Sequence, residues 1–139
     1  MNRIPNPDTV FPNEYGTSCF LKNVITAPNI FVGDYTYYDD SATPADFEKN
    51  NVLFNWPEFG DRLIIGKFCC IASGARFIMG SANHRMCSVT TYPIQCIRRS
   101  HGLKVAAAPC PSSHSRAYRC GQRCMAGAEC TVMPGVKTR

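Results

Sequence analysis

The sequence predicts an all-β fold, a coil of short parallel strands with three strands to each turn. Three observations predict it. Apolar residues recur at every sixth position through residues 63–86, with Ile65, Ile71 and Phe77 opening successive units. A small residue, Gly66 or Ala72, follows the first two of these, where a tight corner between strands tolerates little side chain. A period of six also matches neither a helical stripe near 3.6 nor a plain strand alternation of two. In a coil of this kind the first residue of each unit points into a triangular core.

The elements follow in order. Residues 1–18 are rich in Pro, Asn and Asp and predict a surface arm with turns. Residues 20–25 form a short apolar segment. Residues 29–38 repeat the later pattern of branched residue, glycine, two variable positions and a small residue, so the coil is expected to begin near Ile30. Residues 39–51 are acidic and polar, with Pro44 among them, and predict a loop thrown outward. Residues 52–56 return to apolar character, 57–61 predict a turn, and the 63–86 repeat follows. Residues 86–97 read as a second excursion.

Residues 98–130 differ in kind. They hold six of the fifteen Lys/Arg and four of the nine Cys, lack Ile and Phe, and show neither a helix nor a strand period. Residues 131–137 then regain the branched and small pattern. The chain accordingly divides into 1–97, an arm and coils with their loops; 98–130, an aberrant segment; and 131–139, a remnant six-residue unit.

Composition narrows the function classes. At 139 residues and 45% apolar, the chain amounts to one domain with material for a core. It has no run of 18 apolar residues, so no membrane span is expected. The N-terminal stretch MNRIPNPDTVFPNEYG lacks a signal-peptide apolar core, which makes the cytoplasm the expected compartment. That setting and the odd count of nine Cys argue against a disulfide scaffold, and Cys69 and Cys70, inside the apolar repeat, are expected to act as small hydrophobes. The net charge of +5 is unevenly spread. Residues 1–96 carry seven Lys/Arg and nine Asp/Glu, whereas 97–139 carry eight Lys/Arg and one acid, Glu129. The basic residues form no run longer than Arg98-Arg99 and have little aromatic interleaving, so nucleic acid is not the expected partner.

Several stretches together carry a family resemblance. They are Val32-Gly33-Asp34-Tyr35-Thr36-Tyr37-Tyr38, Ile65-Gly66-Lys67-Phe68-Cys69-Cys70-Ile71, Phe77-Ile78-Met79-Gly80-Ser81-Ala82-Asn83-His84-Arg85-Met86 and Thr91-Tyr92-Pro93. This combination resembles the hexapeptide-repeat xenobiotic O-acetyltransferases, closest to the streptogramin A acetyltransferases and more distantly the type B chloramphenicol enzymes. The resemblance implies a left-handed parallel β-helix with protruding loops, a homotrimer, and acetyl-CoA as co-substrate in a cleft between subunits, with no metal. It implies transfer of an acetyl group to a hydroxyl of an antibiotic such as streptogramin A. By resemblance His84 is the catalytic histidine, while Tyr37 and Trp56 line the acceptor pocket. Chemistry supports His84 separately, since an alcohol needs a base to take its proton as it attacks a thioester, and an imidazole with a pKa of about 6.5 suits that task. Asn83 is a candidate donor to the acceptor or the forming oxyanion. The plainer readings are a surface histidine capping a turn and aromatics that simply pack.

The aberrant segment has two explanations. Cys110, His114, Cys120 and Cys124 have zinc-like composition but unusual spacing. Alternatively, CGQRCMAGAEC at residues 120–130, back-translated and read one nucleotide later, permits V-G-N-D-V-W-L-G-Q-N-V, which resembles the family's repeat unit at this place. The segment therefore reads as a shifted frame, restored at Thr131. Arg, Gln and Ser would then replace inward branched residues, and burying them unpaired would loosen the coil. The family also continues with more coils and a helical region, so the β-helix is expected to be incomplete at its C-terminus and the activity impaired. The competing class is a non-catalytic β-helix fragment without acetyl-CoA binding, and calorimetry with CoA separates the two.

Overall fold

The computed structural model describes residues 4–82 and 117–138. Its strands are β1 (Ser18–Phe20), β2 (Ile30–Val32), β3 (Tyr37–Asp39), β4 (Val52–Leu53), β5 (Arg62–Ile65), β6 (Cys70–Ile71), β7 (Arg76–Ile78), β8 (Ala117–Cys120), β9 (Met125–Ala126), β10 (Thr131–Val132) and β11 (Lys137–Thr138). Pairing follows a rule of three. β2, β5, β8 and β11 share one sheet, β3, β6 and β9 a second, and β4, β7 and β10 a third. Successive turns pair in parallel, and β1 alone among the described strands runs antiparallel, against β3. The residues opening the six-residue units are all interior: Ile65, Ile71 and Phe77 are each at most 2% exposed. Full burial of such side chains is worth about 1.5–3 kcal/mol each.

The corners explain the spacing. A Cβ on Gly33 would meet the backbone of Gly66 and Lys67 at 2.7 Å, and one on Gly66 would meet the backbone of Gly121. These glycines stack because neighbouring turns approach there more closely than a methyl allows. Two residues beyond each comes a left-handed backbone at a non-glycine, at Tyr35, Phe68 and Arg123, with φ of 60°, 57° and 58°. Such a conformation is unfavourable for a side-chain-bearing residue, so the surroundings must hold it. The Tyr35 ring lies flat on Phe68, centroids 5.0 Å apart. The next residue then turns inward. The Thr36 hydroxyl donates to the Gly66 carbonyl at 2.6 Å and accepts from the Cys69 N–H at 3.1 Å, while the Cys69 thiol donates to the Gly121 carbonyl at 3.1 Å.

The acidic stretch 39–51 is more than an outward loop. It contains a single 3-10 turn, Pro44–Asp46, and the short helix α1 (Phe47–Asn50). Phe47 is fully buried between Tyr38 and Phe77, with ring centroids 5.1 and 5.9 Å away. One apolar residue thus anchors the excursion to the core, and Glu48 accepts hydrogen bonds from the backbone N–H groups of Thr26 and Ala27. The N-terminal arm is likewise tied down, through Asn23, whose side-chain amide donates to the carbonyls of Pro7 and Thr9.

The described part of the aberrant segment departs from expectation. β8 and β9 continue the sheets begun by β5 and β6, in register. Arg119, Gln122 and Arg123 are exposed, and the inward positions go to Tyr118, Cys120, Cys124, Ala126 and Cys130. The described polar side chains of this segment, Arg119, Gln122 and Arg123, therefore lie outside the coil, and in strand β8 the alternation places Tyr118 in and Arg119 out.

Candidate functional site

The inward set fixes the outward one. With Tyr38 and Ile71 facing the core, their neighbours Tyr37, Asp39 and Cys70 must face out. On the sheet of β1, β3, β6 and β9 the register aligns Phe20, Tyr37, Cys70 and Met125 in one row across the strands. This row floors a cleft of about 720 Å³. Ser18 and Asp39 stand at one side of it, and Pro12 and Asn13 of the arm form a rim. Asn13 donates to the hydroxyls of Thr17 and Ser18 at 2.8 and 3.2 Å, and Ser18 donates to the Asp39 carboxylate at 2.9 Å. The cleft is thus apolar along its floor, with a single carboxylate among the residues lining it.

Tyr37 sits opposite Cys70 across the parallel pair. Hydrogen bonding to that side chain, then partial burial, holds the Tyr37 phenol above its ordinary pKa. A phenol held neutral keeps its single O–H, a hydrogen-bond donor. Burial alone pushes the neighbouring Cys19 thiol up to about 11, and burial likewise raises Cys69, so neither is an activated nucleophile.

Trp56 is placed elsewhere. It follows β4, precedes the 3-10 turn Pro57–Phe59, and packs between Phe54, tilted with centroids 6.1 Å apart, and Phe59, edge-on at 6.2 Å. All three rings are about half exposed, Trp56 at 45%. Trp56 is not among the residues lining the cleft, so within one chain it and Tyr37 belong to different faces. Asn83 and His84 lie outside the described residues, as do Cys110 and His114 of the zinc reading. The described part of this stretch ends with the buried Met79 and a 3-10 turn at Gly80–Ala82, the residues just before Asn83 in the sequence.

Two cleft residues contradict their sequence reading. Cys70, expected to be a small hydrophobe like Cys69, is half buried and faces the cleft, whereas Cys69 alone is interior. Asp39, assigned to a solvated loop, is exposed but belongs to the end of β3 rather than a loop, and lines the cleft beside Ser18. Strict alternation outward from Tyr38 and Ile71 carries the signal for both.

No family model matches the chain. It is 44% identical over 95 residues to virginiamycin A acetyltransferase of Staphylococcus aureus, covering 68% of this chain and 42% of that protein. It is 51% identical over 55 residues to a probable macrolide acetyltransferase of Lysinibacillus sphaericus, covering 40% of this chain and 30% of that one. It is 32% identical over 117 residues to a chloramphenicol acetyltransferase of Agrobacterium fabrum, covering 84% and 55%. The chain spans about half the length, or less, of these curated relatives. On these likenesses the chain belongs to the streptogramin A acetyltransferase-like family of xenobiotic acetyltransferases.

Proposed function

We propose that this chain carries the acceptor-binding part of an acetyl-CoA-dependent O-acetyltransferase that modifies a hydroxyl of an antibiotic of the streptogramin A kind. The observation that carries the reading is the cleft floored by Phe20, Tyr37, Cys70 and Met125 in a chain whose relatives bear the names of antibiotic acetyltransferases. Its apolar floor suits a largely apolar acceptor, and the Tyr37 phenol and Asp39 carboxylate supply one donor and one acceptor for orienting it.

In this reading the coil is a left-handed parallel β-helix of hexapeptide units, and three copies assemble with acetyl-CoA between them. The separation of Tyr37 from the Trp56 cluster favours such an assembly, because a neighbouring copy brings a second face to the first. His84 acts as the general base. It takes the hydroxyl proton as the acceptor oxygen attacks the thioester carbonyl, and the CoA sulfur leaves and is protonated in turn. Asn83, just ahead of it, offers a side-chain amide to the acceptor or to the developing oxyanion.

The test is mass-spectrometric detection of acetyl transfer from acetyl-CoA to a streptogramin A by the purified chain. Low transfer that falls by about 10²–10⁴ in the His84→Ala variant is expected. Transfer at an unchanged rate in that variant would remove the base role.

A further inference from the structure

Among the described residues, Asp61 is the only buried side chain that carries a charge. It stands just before the first residue of β5 and is 6% exposed. Taking a carboxylate out of water is costly unless it holds something in return. Its backbone is fixed by the preceding turn. The Asn29 side chain, itself buried, donates to the Asp61 carbonyl at 3.0 Å, and the Leu63 N–H donates to the Asn29 carbonyl at 3.0 Å. From there the carboxylate reaches the far end of its own turn. A Cβ on Gly80 would fall 2.8 and 2.9 Å from its two oxygens, so they lie against the backbone where the turn Gly80–Ala82 begins. That stretch is also held from within, the Met79 N–H donating to the Leu53 carbonyl at 3.0 Å and the Ala82 N–H to the Met79 carbonyl at 3.1 Å. Asn83 and His84 follow Ala82 directly in the sequence.

We propose that Asp61 is a positioning residue for acetyl transfer: its buried carboxylate fixes the Gly80–Ala82 turn and so sets the point from which the chain continues to Asn83 and His84. The proposal rests on the reading of His84 as general base. A base must be held close to the geometry of attack, and a misplacement of about 1 Å can cost about 10²-fold in rate. In this role Asp61 acts through the backbone of the turn and not on the acceptor.

The test uses the whole chain with Asp61→Ala, which removes both oxygens, and Asp61→Asn, which keeps the shape and one of them. Amide hydrogen exchange reads the anchor. In Asp61→Ala the Ala82 amide should exchange at least about tenfold faster, while that of Cys70, on another sheet, keeps the parent rate. NMR of the His84 ring, its signals identified by their loss in His84→Gln, reads the positioning. These signals should move in Asp61→Ala and return toward the parent positions in Asp61→Asn. In acetyl transfer, kcat should fall about 10- to 100-fold in Asp61→Ala with KM for acetyl-CoA unchanged, and Asp61→Asn should recover most of it. Asp61→Ser serves if Asp61→Ala does not fold. Unchanged Ala82 exchange or unmoved His84 signals in a folded variant overturns the proposal, as does an unchanged kcat where His84→Ala abolishes transfer. Transfer indifferent to His84→Ala would instead overturn the base role alone, and the two NMR readouts would still support or overturn the anchor.

Discussion

Gly66 shows how little room a corner leaves. Its Cβ position is occupied by the Gly121 backbone of the next turn, and backbone cannot move aside as a long side chain can. Gly66→Ala is therefore expected to cost about 1–3 kcal/mol, read by chemical denaturation. Gly127 is the control, since its Cβ would meet nothing within 4 Å, and Gly127→Ala should stay within about 0.5 kcal/mol. Equal effects at the two positions would argue against the glycine stack. The same corner holds an ion cluster, with Lys22 and Lys67 at 2.6 and 2.9 Å from Asp34. Hydrogen bonds from Lys22 and then Lys67 draw the Asp34 carboxyl from 3.8 down to about 2. A carboxyl lowered by folding contributes stability that is complete above its unfolded pKa and lost as pH falls through its folded one. Asp34 thus helps above about pH 4 and stops helping near pH 2, modestly and in a salt-sensitive way because the pairs face solvent. Asp34→Asn should lower the urea midpoint at about pH 5 and match the parent chain near pH 2. A gap of constant size across that range would contradict the assignment.

Between corner and strand, the residue after each left-handed position carries the links from turn to turn. Thr36 is fully buried and uses its hydroxyl twice, as donor to Gly66 and acceptor from Cys69. Thr36→Val keeps the shape and strands both partners, for an expected loss of about 1–3 kcal/mol, whereas Thr36→Ser should retain most of it. Equal losses for the two variants would mean that the methyl, not the hydroxyl, matters. This link was partly readable, since a small residue at this place belongs to the repeat. Its cause was not, because nothing in Tyr35, Phe68 or Arg123 advertises a left-handed backbone that glycine or asparagine would adopt more readily. The inward positions Ile65, Ile71 and Phe77 were legible because burial selects residue type directly. Phe47 was not, being one apolar residue in a polar stretch whose anchoring depends on a contact with Phe77 thirty positions away. In the site, Tyr37 was legible through resemblance. Cys70 and Asp39 required knowing that Tyr38 and Ile71 face inward, which the six-residue period leaves open until strands are paired.

At the scale of the whole molecule, the turn formed by residues 117–132 has only partly buried inward side chains apart from Tyr118, and the shifted reading of its codons bears on why. Read one nucleotide later, the codons of residues 120–130 permit V-G-N-D-V-W-L-G-Q-N-V, with only the tryptophan forced. Set on the present register, that reading puts valine at the inward positions of Cys120, Cys124 and Cys130 and leucine at that of Ala126, and it keeps glycine at the corner of Gly121. It also gives Asp, which tolerates a left-handed backbone better, at Arg123, and Trp at Met125, on the cleft floor. The codons thus allow aliphatic residues at all four inward places together with the stacked glycine, which is what a regular turn needs there. We propose that residues 98–130 are a shifted frame, a reading that the correspondence over residues 120–130 supports. The chain in which residues 120–130 take the shifted reading should gain roughly 2–4 kcal/mol, because larger aliphatic side chains pack against the core at the partly buried positions of Cys120, Cys124, Ala126 and Cys130. Because Trp replaces Met125 on the cleft floor, its fluorescence should respond to a streptogramin A added to the exchanged chain. Thermal unfolding and sequencing reads over codons 98–131 test the idea from two sides, and an exchanged chain no more stable than the parent would count against it.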